Sequence, residues 1–172
     1  QTLGGTGANN TAALACGGDA PPGSPSYTGA TEEFTGAGAA VGAWSTAAAM
    51  NRGKYAGAGA GTQTSALFFG GNYPPGDNLT AETEFYNGST WSELADLNTA
   101  RQNISGNGVK TSALGFGGFV PPGNVITTVT ESWNGTSWTE VNDLNTARLG
   151  LAGAGADNTS ALAIGGDDYP AP

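Results

Sequence analysis

The residue types that carry most enzyme chemistry are scarce in this 172-residue sequence. It has no histidine, so the commonest metal ligand and the commonest general base are both missing. Its single cysteine, Cys16, excludes an internal disulfide framework. Carboxylates are plentiful, 14 against five cationic side chains. Acid–base catalysis needs a pair set apart from its surroundings, and none stands apart here. Asp167-Asp168 and Asp77-Asn78 offer oxygen ligands to calcium, but neither has the spacing of a calcium loop, and both read as solvated turn residues. The GAGAG runs lack the lysine and the following helix of a phosphate-cradling loop. Three of the cations, Arg52, Arg101 and Arg148, each follow a tryptophan (Trp44, Trp91, Trp138), and three acids, Glu33, Glu84 and Glu131, each precede one. A catalytic residue is needed once. Residues that return in every unit point to structure, here hydrogen bonds to backbone or carboxylate groups between units.

The elements that position these residues are copies of one unit. Paired glycines close the segments TAALACGG, TSALFFGG, TSALGFGG and TSALAIGG, at Gly17-Gly18, Gly70-Gly71, Gly117-Gly118 and Gly165-Gly166. Pro-Pro-Gly follows the first three, from Pro21, Pro74 and Pro121, at intervals of about 50 residues. The copies WSELADLNTAR and WTEVNDLNTAR are nearly identical; the first copy has a Gly/Ala-rich insertion before Trp44 and is two residues short before Arg52. In this frame Cys16 takes the place of Phe69, Phe116 and Ile164, and Met50 that of Leu97 and Leu144, so both read as buried apolar side chains. Each unit holds four short strand candidates. In the second these are AGAGAGT, TSALFFGG and the two arms of ETEFYNGSTWSEL, joined at Asn87-Gly88; Asn134-Gly135 repeats the turn in the third. No segment has helical periodicity. The sequence predicts an all-β chain.

This ordered set resembles the kelch-repeat β-propeller family, which includes the propeller of galactose-oxidase-like proteins. The resemblance spans essentially the whole chain, as one domain over 1–172 with repeats of about 1–52, 53–101, 102–148 and a partial 149–172. It implies four-stranded blades around a channel, with the Gly/Ala strand innermost. The copper site of galactose-oxidase-like enzymes is not implied, because its histidines are missing; no cofactor or metal is expected, and the chain is not expected to be an enzyme. About three and a half repeats do not close a ring of usual size, and two such chains leave the same half over. The expectation is a segment of a longer chain, or else a subunit whose last half-repeat is completed by a neighbour in a ring or filament.

A net charge of −9 disfavours nucleic acid and anionic lipid as partners. No apolar run approaches the roughly 20 residues of a membrane span, and no leader segment is visible at the start. The Pro-Pro-Gly loops from second to third strand are where the repeats differ most, and they present Tyr27, Tyr73, Asp77, Asn78, Phe119, Val120, Asn124 and Tyr169, aromatics and amides suited to a sugar or peptide ligand. The expected function is therefore a non-catalytic module recognising a glycan or protein, in an extracellular, cell-surface or virion-associated protein. The alternative is a structural repeat that assembles with copies of itself in a fibre or virion layer. Glycosylation sequons stand at Asn9, Asn78, Asn87, Asn103, Asn134 and Asn158.

Overall fold

The computed structural model describes residues 4–9, 12–18, 28–36, 43–76, 78–120 and 125–168. Among them there is no helix, and strands join their sequence neighbours in antiparallel ladders. The first sheet runs β1 (Gly4–Asn9), β2 (Ala12–Cys16), β3 (Thr31–Thr35), β4 (Ala43–Ala47). The next segment holds β5 (Ala58–Thr62), β6 (Ser65–Phe69), the short β7 (Asn72–Tyr73) and β8 (Asn78–Leu79), then β9 (Thr83–Tyr86) and β10 (Trp91–Glu93). Strands β5, β6, β9 and β10 form the second sheet, while β7 and β8 make a ribbon of their own. The third segment repeats this with β11 (Ser105–Val109), β12 (Ser112–Phe116), the ribbon β13 (Phe119–Val120) and β14 (Val125–Ile126), β15 (Thr130–Trp133) and β16 (Trp138–Glu140). A final hairpin pairs β17 (Ala152–Asp157) with β18 (Ser160–Ile164).

The sheets share one register. Cys16, Phe69 and Phe116 lie opposite Thr31, Thr83 and Thr130. Phe34, Tyr86 and Trp133 lie opposite Trp44, Trp91 and Trp138. This register corrects one equivalence: Glu84 pairs with Phe68 and Glu131 with Gly115, and their counterpart opposite Ala15 is Glu32, not Glu33. The two hairpin turns also differ from the tight two-residue form. Each uses four residues, with the Asn87 side-chain oxygen accepting from the N–H groups of Ser89 and Thr90, and Asn134 from those of Thr136 and Ser137.

Packing between sheets follows from the same register. Leu14, Cys16 and Met50 of the first repeat cluster with Ala66, Phe68, Tyr86 and Trp91 of the second. Leu67, Phe69 and Leu97 of the second cluster with Ala113, Trp133 and Trp138 of the third. Trp138 lies 4.7 Å from Phe69 between ring centres, and its indole N–H donates to Thr83 Oγ1 at 3.0 Å. Trp91 donates to Thr31 Oγ1 at 3.2 Å and to the Ala48 carbonyl at 3.0 Å. A buried tryptophan removes about 150–250 Å² from water, worth at most roughly 4–6 kcal/mol. The outer faces of the series lack such cover: Trp44 is 51% exposed, Leu162 65% and Ile164 51%.

The first strands β1, β5, β11 and β17 stand side by side, and their small residues allow it. A methyl group on Gly153 would run into the carbonyl oxygen of Gly106. The paired glycines do different work. Gly17-Gly18, Gly70-Gly71 and Gly117-Gly118 all have positive φ, which reverses the chain after the second strand. The reversal aims the first glycine N–H at the carbonyls of Ala30, Glu82 and Val129, while the second glycine carbonyl accepts from Thr28, Thr80 and Thr127. Each loop from second to third strand is thereby clasped at its base.

Candidate functional site

The loop end of the sheets is built on these clasps. Backbone bridges join Tyr55 to Asn72, Gln102 to Phe119 and Leu149 to Asp167, so the segments linking one sheet to the next lie beside the loops that follow the paired glycines. Tyr73 sits at the end of β7, half-buried, with the Arg52 guanidinium 4.3 Å over its ring. Arg52 also donates to Glu82 at 2.8 Å. Asn78 is exposed, and its side-chain amide donates to the carbonyls of Pro75 and Tyr73, holding the turn between β7 and β8. Phe119 is half-buried and pairs through its backbone with Ile126 and Gln102. The buried Asn72 amide donates to Gln102 and so joins the second sheet's loop to the link into the third. Tyr27, Asp77, Asn124 and Tyr169 lie outside the described residues.

The charged residues of the repeat separate into two kinds. Arg101 is 0% exposed and spans two repeats. Its carbonyl accepts from the Gly71 N–H, and its guanidinium donates to the carbonyls of Gly117 at 2.9 Å and Val129 at 2.6 Å and to Glu131 at 2.9 Å. Burial pulls Arg101 below its ordinary pKa, while Glu131 opposes that fall. Glu131 accepts further bonds from the backbone and side chain of Asn98 and from the Thr99 N–H. In the preceding repeat this position belongs to Lys54, not Arg52. Lys54 is 0% exposed, its carbonyl accepts from Gly18, and its ammonium meets Glu84 at 2.7 Å and Glu82 at 3.0 Å. The signal was present in the spacing, since Lys54 follows Trp44 at the interval by which Arg101 follows Trp91. Arg52, with a side chain 47% exposed, belongs instead to the loop end. Arg148 makes the bond to the Gly165 carbonyl at 2.6 Å, and its carbonyl accepts from Gly118.

The remaining candidates find plain settings. Cys16 is buried, and its thiol is pushed up to about 12 by burial and then by the Glu84 charge, so it is no thiolate nucleophile near neutral pH. Among the described residues no three Cys, Asp or Glu groups gather as a metal site. Cavities of about 220 and 310 Å³ run along the first strands, and Gly5, Gly59, Gly106 and Gly153 line both. Of the sequon residues, Asn78, Asn87 and Asn134 are exposed. Asn9 ends β1, and Asn103 has a positive φ of 49°. Asn158 is committed to packing: its amide donates to Ser132 Oγ at 2.8 Å and to the Trp133 carbonyl at 3.3 Å. No helix among the described residues is long and apolar enough to cross a membrane. No protein-family model matches the chain, and no curated protein matches it.

Proposed function

We propose that the chain is a recognition module of the kelch-repeat β-propeller type, without catalytic activity, that binds a glycan or protein ligand at its loop end. The recurring four-stranded sheets, with glycine-rich first strands side by side, support the propeller reading. The observation that carries the binding reading is the Arg52–Tyr73 stack on the clasped β7–β8 ribbon. An aromatic face, a cation and the Glu82 carboxylate stand together on a scaffold already ordered, which reduces the entropy lost on binding. Such a module suits an extracellular, cell-surface or virion-associated protein. The test is a glycan array with the wild-type chain and with Tyr73→Ala and Arg52→Ala. Binding that both substitutions abolish, with the melting temperature lowered by only a few degrees, is expected; binding indifferent to both refutes the loop-end assignment.

A second reading, a repeat that assembles with its own kind, is favoured by the exposed Trp44.

A further inference from the structure

Three asparagines stand directly before a glycine: Asn87, Asn107 and Asn134. In such a pair the glycine nitrogen can attack the asparagine side-chain carbonyl and close a five-membered ring, with no Cβ on the glycine to crowd the approach. Sequence puts the three pairs on a par. The fold separates them.

Asn87 and Asn134 are exposed at the tips of the hairpins β9–β10 and β15–β16, at the end of the sheets opposite the Pro-Pro-Gly loops. The Asn87 side-chain oxygen accepts from the N–H groups of Ser89 and Thr90, each at 2.9 Å. That of Asn134 accepts from Thr136 and Ser137, again each at 2.9 Å. These bonds wrap the side chain back over its own peptide link, which brings Cγ to the side of the glycine nitrogen. They also aim two donors at the oxygen that gains negative charge when Cγ is attacked. The nitrogen that must leave, Nδ2, already meets a hydroxyl in each turn, Thr90 Oγ1 at 3.2 Å and Ser137 Oγ at 3.4 Å. Asn107 is the opposite case. It lies inside β11 opposite Leu114, is 5% exposed, and its Nδ2 donates to the Asp157 carbonyl at 2.9 Å. Ring closure there would turn the Asn107–Gly108 peptide out of the β11–β12 ladder and bring hydroxide into the interior.

We propose that Asn87 and Asn134 are sites of spontaneous deamidation through a cyclic imide, from which the fold shields Asn107. Hydroxide takes the proton of the glycine N–H, the nitrogen bonds to Cγ, and the Cγ–Nδ2 bond breaks as Nδ2 takes a proton from water and departs as ammonia. Water then opens the imide. Opening at Cγ leaves aspartate; opening at the main-chain carbonyl leaves isoaspartate, with the backbone rerouted through the side-chain carbons. Nothing is oxidised or reduced. Each event adds a negative charge to a net charge of −9, and isoaspartate lengthens a turn that leads into a buried tryptophan, Trp91 or Trp138. This inference does not rest on the ligand reading.

The test is peptide mapping of the 172-residue chain after timed incubation at mildly alkaline pH, once folded and once in denaturant. The chain is prepared without glycosylation, because Asn87 and Asn134 also head sequons. Loss of ammonia followed by gain of water is read from the masses, and isoaspartate from methyltransferase labelling. All three sites should react alike in denaturant. Folding should slow Asn107 by about tenfold or more and leave Asn87 and Asn134 within that factor of their unfolded rates. Gly88→Ala crowds the attacking nitrogen while its methyl stays at ordinary contact distance from Thr64, so Asn87 should slow by about tenfold or more with Asn134 unchanged as the internal control. Slowing of Asn87 and Asn134 by folding as large as that of Asn107 overturns the proposal. So does an Asn87 indifferent to Gly88→Ala, since its ammonia would then be lost by direct hydrolysis.

Discussion

Replacing Arg101 with alanine tests whether the repeated charges are fixtures of the interior or of the surface. Its guanidinium is wholly buried and makes bonds to two carbonyls and one carboxylate of the next repeat. Removal leaves Glu131, itself 0% exposed, charged and held only by N–H groups from Asn98 and Thr99. Breaking a buried pair in this one-sided way costs about 3–5 kcal/mol. For a chain of this length each kcal/mol moves the melting midpoint by about 2–4 °C, so a fall of roughly 6–20 °C is expected. Arg52→Ala removes an exposed ion pair and a stacking contact, which together are worth about 1–2 kcal/mol at most. Lys54→Ala should resemble Arg101→Ala, despite the sequence pattern that groups Arg52 with Arg101. The double variant Arg101→Met with Glu131→Leu should recover much of the loss, because no charge is then stranded. Thermal or denaturant unfolding of these variants is the assay. Equal effects of Arg52→Ala and Arg101→Ala, or a double variant worse than both singles, would refute the reasoning.

Other expectations are as direct. Gly117→Ala should destabilise more than Gly165→Ala, since both glycines have positive φ but a methyl at Gly117 meets the Arg148 carbonyl and Leu151, whereas at Gly165 it meets none of the described residues; the second costs about 1–2 kcal/mol. Denaturant melts at rising pH should show stability lost on the alkaline side. The Cys16 thiol, ordinarily 9.0, is raised to about 12 in the fold by burial, and Tyr86 is raised from 10.0 to about 12 by burial and by its hydrogen bond to Glu33. A raised acid favours the fold fully below its unfolded pKa, so the contribution of Cys16 declines from pH 9.0 towards about 12, and Cys16→Val should flatten the onset of that decline. Asn158→Ala should lower the melting midpoint, as it cuts the side-chain bonds to Ser112, Ser132 and Trp133; a neutral result would mean that the final hairpin is not anchored there.

The all-β class and the placing of the strands were legible because apolar residues recur at fixed places and turn residues lie between them. The buried pairs were harder to read. Equating cations by type put Arg52 in the place of Lys54, because two residues appear to be missing only if an arginine is required. The adjacent acids Glu32 and Glu33 hid which one faces the neighbouring sheet. The pairs Thr31-Glu32, Thr83-Glu84 and Thr130-Glu131 carry that answer, since the threonine fixes the phase of the strand. The ribbons β7–β8 and β13–β14 read as loops, because two-residue ladders are too short to leave a periodicity.

The clasp at the paired glycines has an evolutionary consequence. Phe69 pairs directly with Thr83 and Phe116 with Thr130, so the ladder closes underneath the segments that leave between them. Those segments are appendices to the sheet, and apart from the buried Asn72 and the Tyr73 ring their described side chains add little to its packing. A lineage carrying this scaffold is free to rewrite, lengthen or trade them while the glycines and the threonine stay in place. Binding preference and stability are thereby written in separate stretches of the chain, and selection can act on one without disturbing the other.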